Sequence, residues 1–187
     1  MWAVAGLGNP EKRHLKTRHN AGFMAVEELA ERLRGQWRPG PGKELLSASV
    51  RIDGRNVLLL KPLTYMNLSG VAVARVLRQK KIAPENLIVV HDDIDMETAR
   101  IRIRKNGSAG GHKGVDSIIR ETGARDFIRV KIGVGRDESK PADVYVLEKF
   151  GKAEVPLISE AVSRAARAVM DIITEGVDAA MNRFNKK

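Results

Sequence analysis

Leu87-Ile88-Val89-Val90-His91-Asp92-Asp93 is the stretch on which the fold turns. Four consecutive apolar residues without polar alternation describe a strand buried on both faces, the kind found in parallel sheets covered by helices above and below. The run ends in His91 and Asp92, so titratable groups stand at the tip of a buried strand. Loops at the ends of parallel strands gather at one sheet edge, where ligands usually bind.

The neighbouring segments agree. Trp2 to Leu7 reads as a first strand, followed by a loop through Gly8, Asn9 and Pro10 that runs to about Asn20. Phe23, Val26, Leu29, Ala30 and Leu33 recur at helical spacing, with Gly35 as the expected terminator. Pro39 to Gly42 reads as a loop. Leu46–Ile52 and Val57–Lys61 flank Asp53-Gly54, a hairpin signal. A helix is expected from Leu68 to Gln79, with Asn67 at its N-cap. After an Arg100–Arg104 strand come the glycine loop Gly107-Ser108-Ala109-Gly110-Gly111, a helix from about Lys113 to Glu121, and a Phe127–Val134 strand. Val155, Ile158, Val162, Ala165, Val169, Ile172 and Ile173 form one stripe of a long closing helix. Helices alternating with strands predict one three-layer α/β/α domain over residues 1–187, with a mixed, largely parallel central sheet and a C-terminal helix.

The chain has 187 residues, 33 Lys and Arg against 23 Asp and Glu, and no cysteine. Disulfides, thiolate nucleophiles and cysteine-ligated zinc are excluded together. No apolar run approaches the roughly 18–20 residues of a membrane span, so a cytoplasmic protein without membrane contact is expected. The charge is uneven: residues 81–99 hold one basic and five acidic side chains, residues 100–140 eleven basic and five acidic. Arg100, Arg102 and Arg104 alternate with Ile101 and Ile103, which should line up three guanidinium groups on one strand face. Such a row is either solvated surface or a match for backbone phosphates. Aromatic residues are 4% of the chain, too few for a stacking platform, which favours helical RNA over unpaired bases.

Gly6-Leu7-Gly8 lacks the third glycine of a dinucleotide fingerprint, since Glu11 stands there, and the chain has neither a P-loop nor a G-x-S-x-G elbow. Hydrolysis by an activated water is the simpler chemistry, and it needs a base and an orienter. His19 precedes the first helix and Asp92 ends the buried strand; Asp92 accepting from one ring nitrogen would leave the other free to take a proton. Asn9 and Asn67, each in a strand-to-helix loop, could orient a carbonyl or stabilise its oxyanion. Met66 reads as wall. Asp92, Asp93 and Asp95 allow a competing reading as a magnesium site.

Five motifs in order carry a resemblance across nearly the whole chain: Gly6-Leu7-Gly8-Asn9-Pro10, Thr17-Arg18-His19-Asn20-Ala21-Gly22, Pro62-Leu63-Thr64-Tyr65-Met66-Asn67-Leu68-Ser69-Gly70, His91-Asp92-Asp93-Ile94-Asp95 and Gly110-Gly111-His112-Lys113-Gly114. The chain resembles the bacterial-type peptidyl-tRNA hydrolases. The resemblance implies hydrolysis of the ester between a peptide and the terminal ribose of tRNA, without metal or other cofactor. It implies His19 as general base with Asp92 as partner. Asn9 and Asn67 would position the peptidyl group or the water, and Tyr65, Met66, His112 and Lys113 would line the substrate cleft. Arg104 and Lys131 would hold the tRNA 5′-phosphate, with Arg102 as an auxiliary phosphate contact. Departures are Lys113 where the family commonly has Asn, Glu11 for Gly and His14 for Tyr. Peptidyl-tRNA is the expected partner of a monomer. The alternative is a non-catalytic RNA-binding module of the same fold.

Overall fold

The computed structural model describes residues 1–42 and 44–186; Lys43 and the expected last residue of the domain, Lys187, lie outside the described residues. Among the described residues seven strands form one sheet: β1 (Trp2–Gly6), β2 (Arg38–Pro39), β3 (Leu45–Ile52), β4 (Arg55–Pro62), β5 (Leu87–Asp93), β6 (Ile101–Arg104) and β7 (Ile128–Gly133). Their order is β2-β3-β4-β1-β5-β7-β6. The central strands β4, β1, β5 and β7 run parallel, and β3 and β6 flank them antiparallel. The apolar run of β5 is fully buried because it lies inside this parallel block, paired on both sides.

Helices cover both faces. On one side, α1 (Ala21–Arg32), α5 (Glu154–Glu175) and α6 (Val177–Phe184) pack on Val4, Leu59, Ile88, Val90, Val130 and Ile132. On the other, α2 (Ser69–Lys80) and α3 (Lys113–Thr122) cover Ala3, Ala5, Leu60, Leu87 and Val89. Alternate residues of each strand feed opposite cores, as period-two side-chain direction requires. A short helix, α4 (Ala142–Tyr145), lies between β7 and α5.

Two close approaches fix the helices that carry the site. A Cβ on Gly22 would lie 2.2 Å from the Val90 carbonyl oxygen, so α1 starts directly against β5. A Cβ on Gly70 would lie 2.1 Å from the Ser117 carbonyl oxygen, which seats α2 on α3.

The Asp53-Gly54 hairpin forms as expected, with φ of 47° and 71°, the two left-handed residues of a type I′ turn. Other local expectations are corrected. Asn67 does not cap α2: Met66–Leu68 form a 3-10 turn, Leu68 is the cap residue, and no side chain caps that end. The left-handed residue after α1 is Arg34, at φ 54°, not Gly35. Arg38 and Pro39, within and beside the expected loop, pair with Ser47 and Leu46 as an edge strand.

Candidate active site

Because β1, β4 and β5 are parallel, their C-terminal ends deliver Asn9, Tyr65–Asn67 and Asp92 to one edge of the sheet. There they line a cavity of about 490 Å³ with His19, His112 and Lys113. The eight residues expected at the catalytic and substrate positions therefore share one cleft. Ile94, Gly110, Gly111, Val146 and Leu147 complete much of its wall.

Asp92 is the centre, and its carboxylate is 2% exposed. His19 Nδ1 lies 3.0 Å from both its Oδ1 and its Oδ2, and His112 Nε2 lies 3.0 Å from Oδ1. Burial alone would push the Asp92 carboxyl up, but the two histidines outweigh it and hold the group well below the usual carboxylate range. An ionised carboxylate only accepts, so each histidine must present an N–H to it. Nδ1 of His19 therefore carries a proton, and in the neutral ring Nε2 is the nitrogen with the lone pair.

The tautomer of His112 is fixed twice. Its Nδ1 accepts from the backbone N–H groups of Gly114 at 3.1 Å and Val115 at 3.3 Å, so the side chain caps α3. The proton must therefore sit on Nε2, where Asp92 receives it.

The third histidine, His91, is buried against His112, with ring centroids 4.7 Å apart. Its Nδ1 donates to the Asp92 carbonyl oxygen at 2.7 Å, and its Nε2 has no partner among the described residues. Desolvation and the neighbouring His112 lower its pKa to about 3, so it packs as a neutral ring.

The asparagines are held from behind. Asn20 Oδ1 accepts from the Asn9 N–H at 2.8 Å and Asn20 Nδ2 donates to the Asn9 carbonyl at 2.9 Å. Asn9 Oδ1 in turn accepts from the Met66 N–H at 3.2 Å, which leaves its Nδ2 donors for the cleft. Asn67 is exposed at the rim, and buried Met66 packs its sulfur under Gly114, where a Cβ would lie 2.6 Å away. Tyr65 is 64% exposed. Lys113 is also exposed, and with Asn67 and Gly111 it faces a smaller hollow that includes Asp116 and Arg120.

The 145–149 segment is stitched to Arg18 and His19. The His19 N–H donates to the Val146 carbonyl at 2.8 Å and the Arg18 N–H to the Glu148 carbonyl at 3.1 Å. The Arg18 guanidinium, buried, reaches the Lys149 carbonyl at 3.0 Å and Glu154 at 2.9 Å over the Tyr145 ring. Sequence reasoning left Arg18, Asn20 and Val146 without a role. The Arg18-His19-Asn20 triplet directly before a helix was the available signal for the first two.

Geometry argues against the magnesium alternative. Asp92 faces the histidines, Asp93 receives Lys131 Nζ at 2.9 Å, and Asp95 pairs with Arg136 at 3.1 Å, so the three carboxylates diverge. His19, Asp92 and His112 do offer atoms within 4.8 Å of one another. A ligating histidine, however, uses its second nitrogen as a donor, and Nδ1 of His112 already faces two donors.

The basic face is partly as expected. Arg102 and Arg104 project opposite buried Ile101 and Ile103, and Arg102 stands across the register from Lys131. Arg100 falls outside the row: it precedes the strand, its N–H turns back to the Glu97 carbonyl, and it lines another hollow with Arg164 and Phe184.

Comparison with known proteins follows this geometry. The family model described as peptidyl-tRNA hydrolase matches residues 3–187. The peptidyl-tRNA hydrolase of Thermodesulfovibrio yellowstonii is 45% identical over the full length of both chains. That of Aquifex aeolicus is 45% identical, covering 98% of this chain and 96% of its own. The crystal structure of peptidyl-tRNA hydrolase from Acinetobacter baumannii superposes with a TM-score of 0.93 at 36% identity, over 99% of this chain and 94% of that one.

Proposed function

The chain belongs to the peptidyl-tRNA hydrolase family and hydrolyses peptidyl-tRNA, and we propose that His19 is the general base of that reaction. One observation carries the assignment: both carboxylate oxygens of Asp92 lie 3.0 Å from His19 Nδ1, which leaves Nε2 as the accepting nitrogen on a ring that lines the cleft.

In this reading a water on Nε2 loses its proton as it attacks the ester carbonyl, and Asp92 stabilises the imidazolium that forms. The Nδ2 group of Asn9, oriented by Met66 and Asn20, donates to the carbonyl oxygen as negative charge grows on it. Asn67, Tyr65, Met66, His112 and Lys113 bound the peptide and terminal ribose. His19 returns its proton to the leaving ribose oxygen. Arg104, Lys131 and Arg102 hold a tRNA phosphate at the sheet edge. The assembled base, orienter and amide donor give the binding-module alternative no support.

No helix among the described residues is long and apolar enough to cross a membrane. The working unit in this reading is a cytoplasmic monomer, with residues 1–187 as one domain.

Turnover of peptidyl-tRNA by wild type and His19→Ala is the test. The variant should lose about 10²- to 10⁴-fold in kcat, the range of a positioned general base. Turnover equal to wild type would remove His19 from that role.

A further inference from the structure

The walls of the cleft differ in charge. Asn67, Gly111 and Lys113 border both the cleft and the smaller hollow that holds Arg120, whereas no residue of the 142–147 segment borders that hollow. The segment builds a different wall. Ala142, Val146 and Leu147 bring apolar side chains to the cleft, and Ile94 adds another. Asp143 stands among them, exposed, in the first turn of α4.

The fold makes no use of the Asp143 carboxylate. Among the described residues it has neither an ion pair nor a hydrogen bond, and the basic side chains around its segment are taken by other acids. Lys140 Nζ donates to Glu148 at 2.8 Å, Arg136 to Asp95 at 3.1 Å and Arg18 to Glu154 at 2.9 Å. The other acid of the cleft, Asp92, is buried between two histidines. Among the described residues Asp143 is therefore the one carboxylate of the cleft lining that is open to a ligand.

We propose that Asp143 is a specificity-determining residue for the peptidyl group, favouring a cationic side chain beside the apolar wall and rejecting an acidic one. The proposal rests on the reading of His19 as base and Asn9 as amide donor, which fixes where the ester carbonyl sits.

The reasoning is charge matching. From an ester held between His19 and Asn9 the substrate leaves in two directions, one a polyanion and the other a peptide. The RNA matches the wall that carries Lys113 and leads to Arg120, and Asp143 repels it. The peptide is left with the apolar wall. A lysine or arginine side chain can lay its methylene stem along Val146 and Leu147 and bring its charge to the carboxylate. A glutamate in the same place meets a like charge with no free cation beside it. Discrimination then comes from repulsion as well as attraction.

The experiment measures kcat/KM on N-acetyl-dipeptidyl-tRNAs that share one tRNA body. Lysine, norleucine or glutamate is placed in the esterified residue or in the one before it; norleucine keeps the lysine stem without its charge. Wild type, Asp143→Asn, Asp143→Glu and Asp143→Lys are compared, with melting curves to check the fold. Ratios are taken within each protein, so a general loss of activity cancels. At one of the two positions wild type should prefer lysine over glutamate by roughly three- to tenfold, the scale of a partly exposed charge pair counted once as attraction and once as repulsion. Norleucine should fall between them, and added salt should compress the ratio. Asp143→Asn should bring the ratio close to one, Asp143→Lys should invert it, and Asp143→Glu should keep it.

Equal rates for lysine and glutamate at both positions in wild type, while His19→Ala is inactive, overturn this proposal alone. So does a preference that Asp143→Asn and Asp143→Lys leave in place. If His19→Ala turns over like wild type, the placement of the ester fails and takes the proposal with it.

Discussion

His112 touches Asp92 with one ring nitrogen and the first turn of helix α3 with the other, so a helix cap and the carboxylate that holds His19 share one imidazole. The shared ring separates into two functions by substitution. In His112→Asn the amide oxygen can still cap α3 but the side chain is too short to reach Asp92. Stability should stay near wild type, while kcat falls about ten- to a hundredfold, the worth of a hydrogen bond to a charged group. His112→Ala loses both contacts and should cost about a further 0.5–2 kcal/mol in denaturant unfolding. Equal kcat for His112→Asn and wild type would limit His112 to capping.

Asp92→Asn tests the proton map. Its amide NH2 would donate to His19 Nδ1 while its oxygen still accepts from His112 Nε2, so every hydrogen bond survives. The donor is now on the wrong side: His19 must carry its proton on Nε2, facing the water it should deprotonate. The variant should fold with near-native stability and lose about 10²- to 10⁴-fold in kcat. Nitrogen-15 NMR of the His19 ring should report the tautomer exchange, and an unchanged Nδ1–H form in an inactive variant would contradict this cause.

The site was legible in sequence where chemistry depends on residue type at a strand end. His19, Asp92, Asn9 and Asn67 needed only a parallel sheet to be brought together, and the apolar run before His91 announced that sheet. The backing was less legible. Asn20 holds Asn9 through main-chain groups, and Arg18 anchors the 145–149 segment through a carbonyl more than a hundred residues away; neither contact has a local periodicity to betray it. Arg100 shows the opposite failure. Strict alternation placed it in the basic row, but the backbone closes a turn to Glu97 before the ladder begins, and that turn redirects the side chain.

His91 makes stability depend on pH. Its folded pKa of about 3 is below its unfolded value of about 6.5, so between those limits the unfolded chain binds a proton that the native one refuses. Stability from this group is complete above pH 6.5 and declines as pH falls toward 3, by up to about 1.4 kcal/mol per pH unit. Asp92, whose folded pKa is also depressed, adds a loss of the same sign once pH drops below the ordinary carboxylate range. His91→Gln should flatten the slope between pH 6.5 and 5 by one proton in urea unfolding series. An identical slope in the variant would assign the acid sensitivity elsewhere.

Arg129 is the largest buried cation of the sheet, 1% exposed, and among the described residues it has no carboxylate partner. It donates instead to the carbonyls of Arg125 at 3.2 Å, Phe127 at 3.0 Å and Gly107 at 2.6 Å, with its guanidinium 4.1 Å from the Phe127 ring centroid. Desolvation lowers its pKa to about 10, which leaves it charged at neutral pH. The Gly107 contact ties the glycine loop to β7, and that loop leads directly into His112. Arg129→Met removes a costly buried charge and keeps much of the packing, yet leaves three carbonyls short of a donor. The net cost should be about 1–3 kcal/mol in global stability, with a larger local effect. Amide hydrogen exchange across Gly107–Gly111 should accelerate more than exchange in β5, and kcat should drop as His112 loses its fixed approach to Asp92. Uniform acceleration across both segments would make Arg129 a general core residue; selective acceleration identifies it as the brace of the loop that delivers His112.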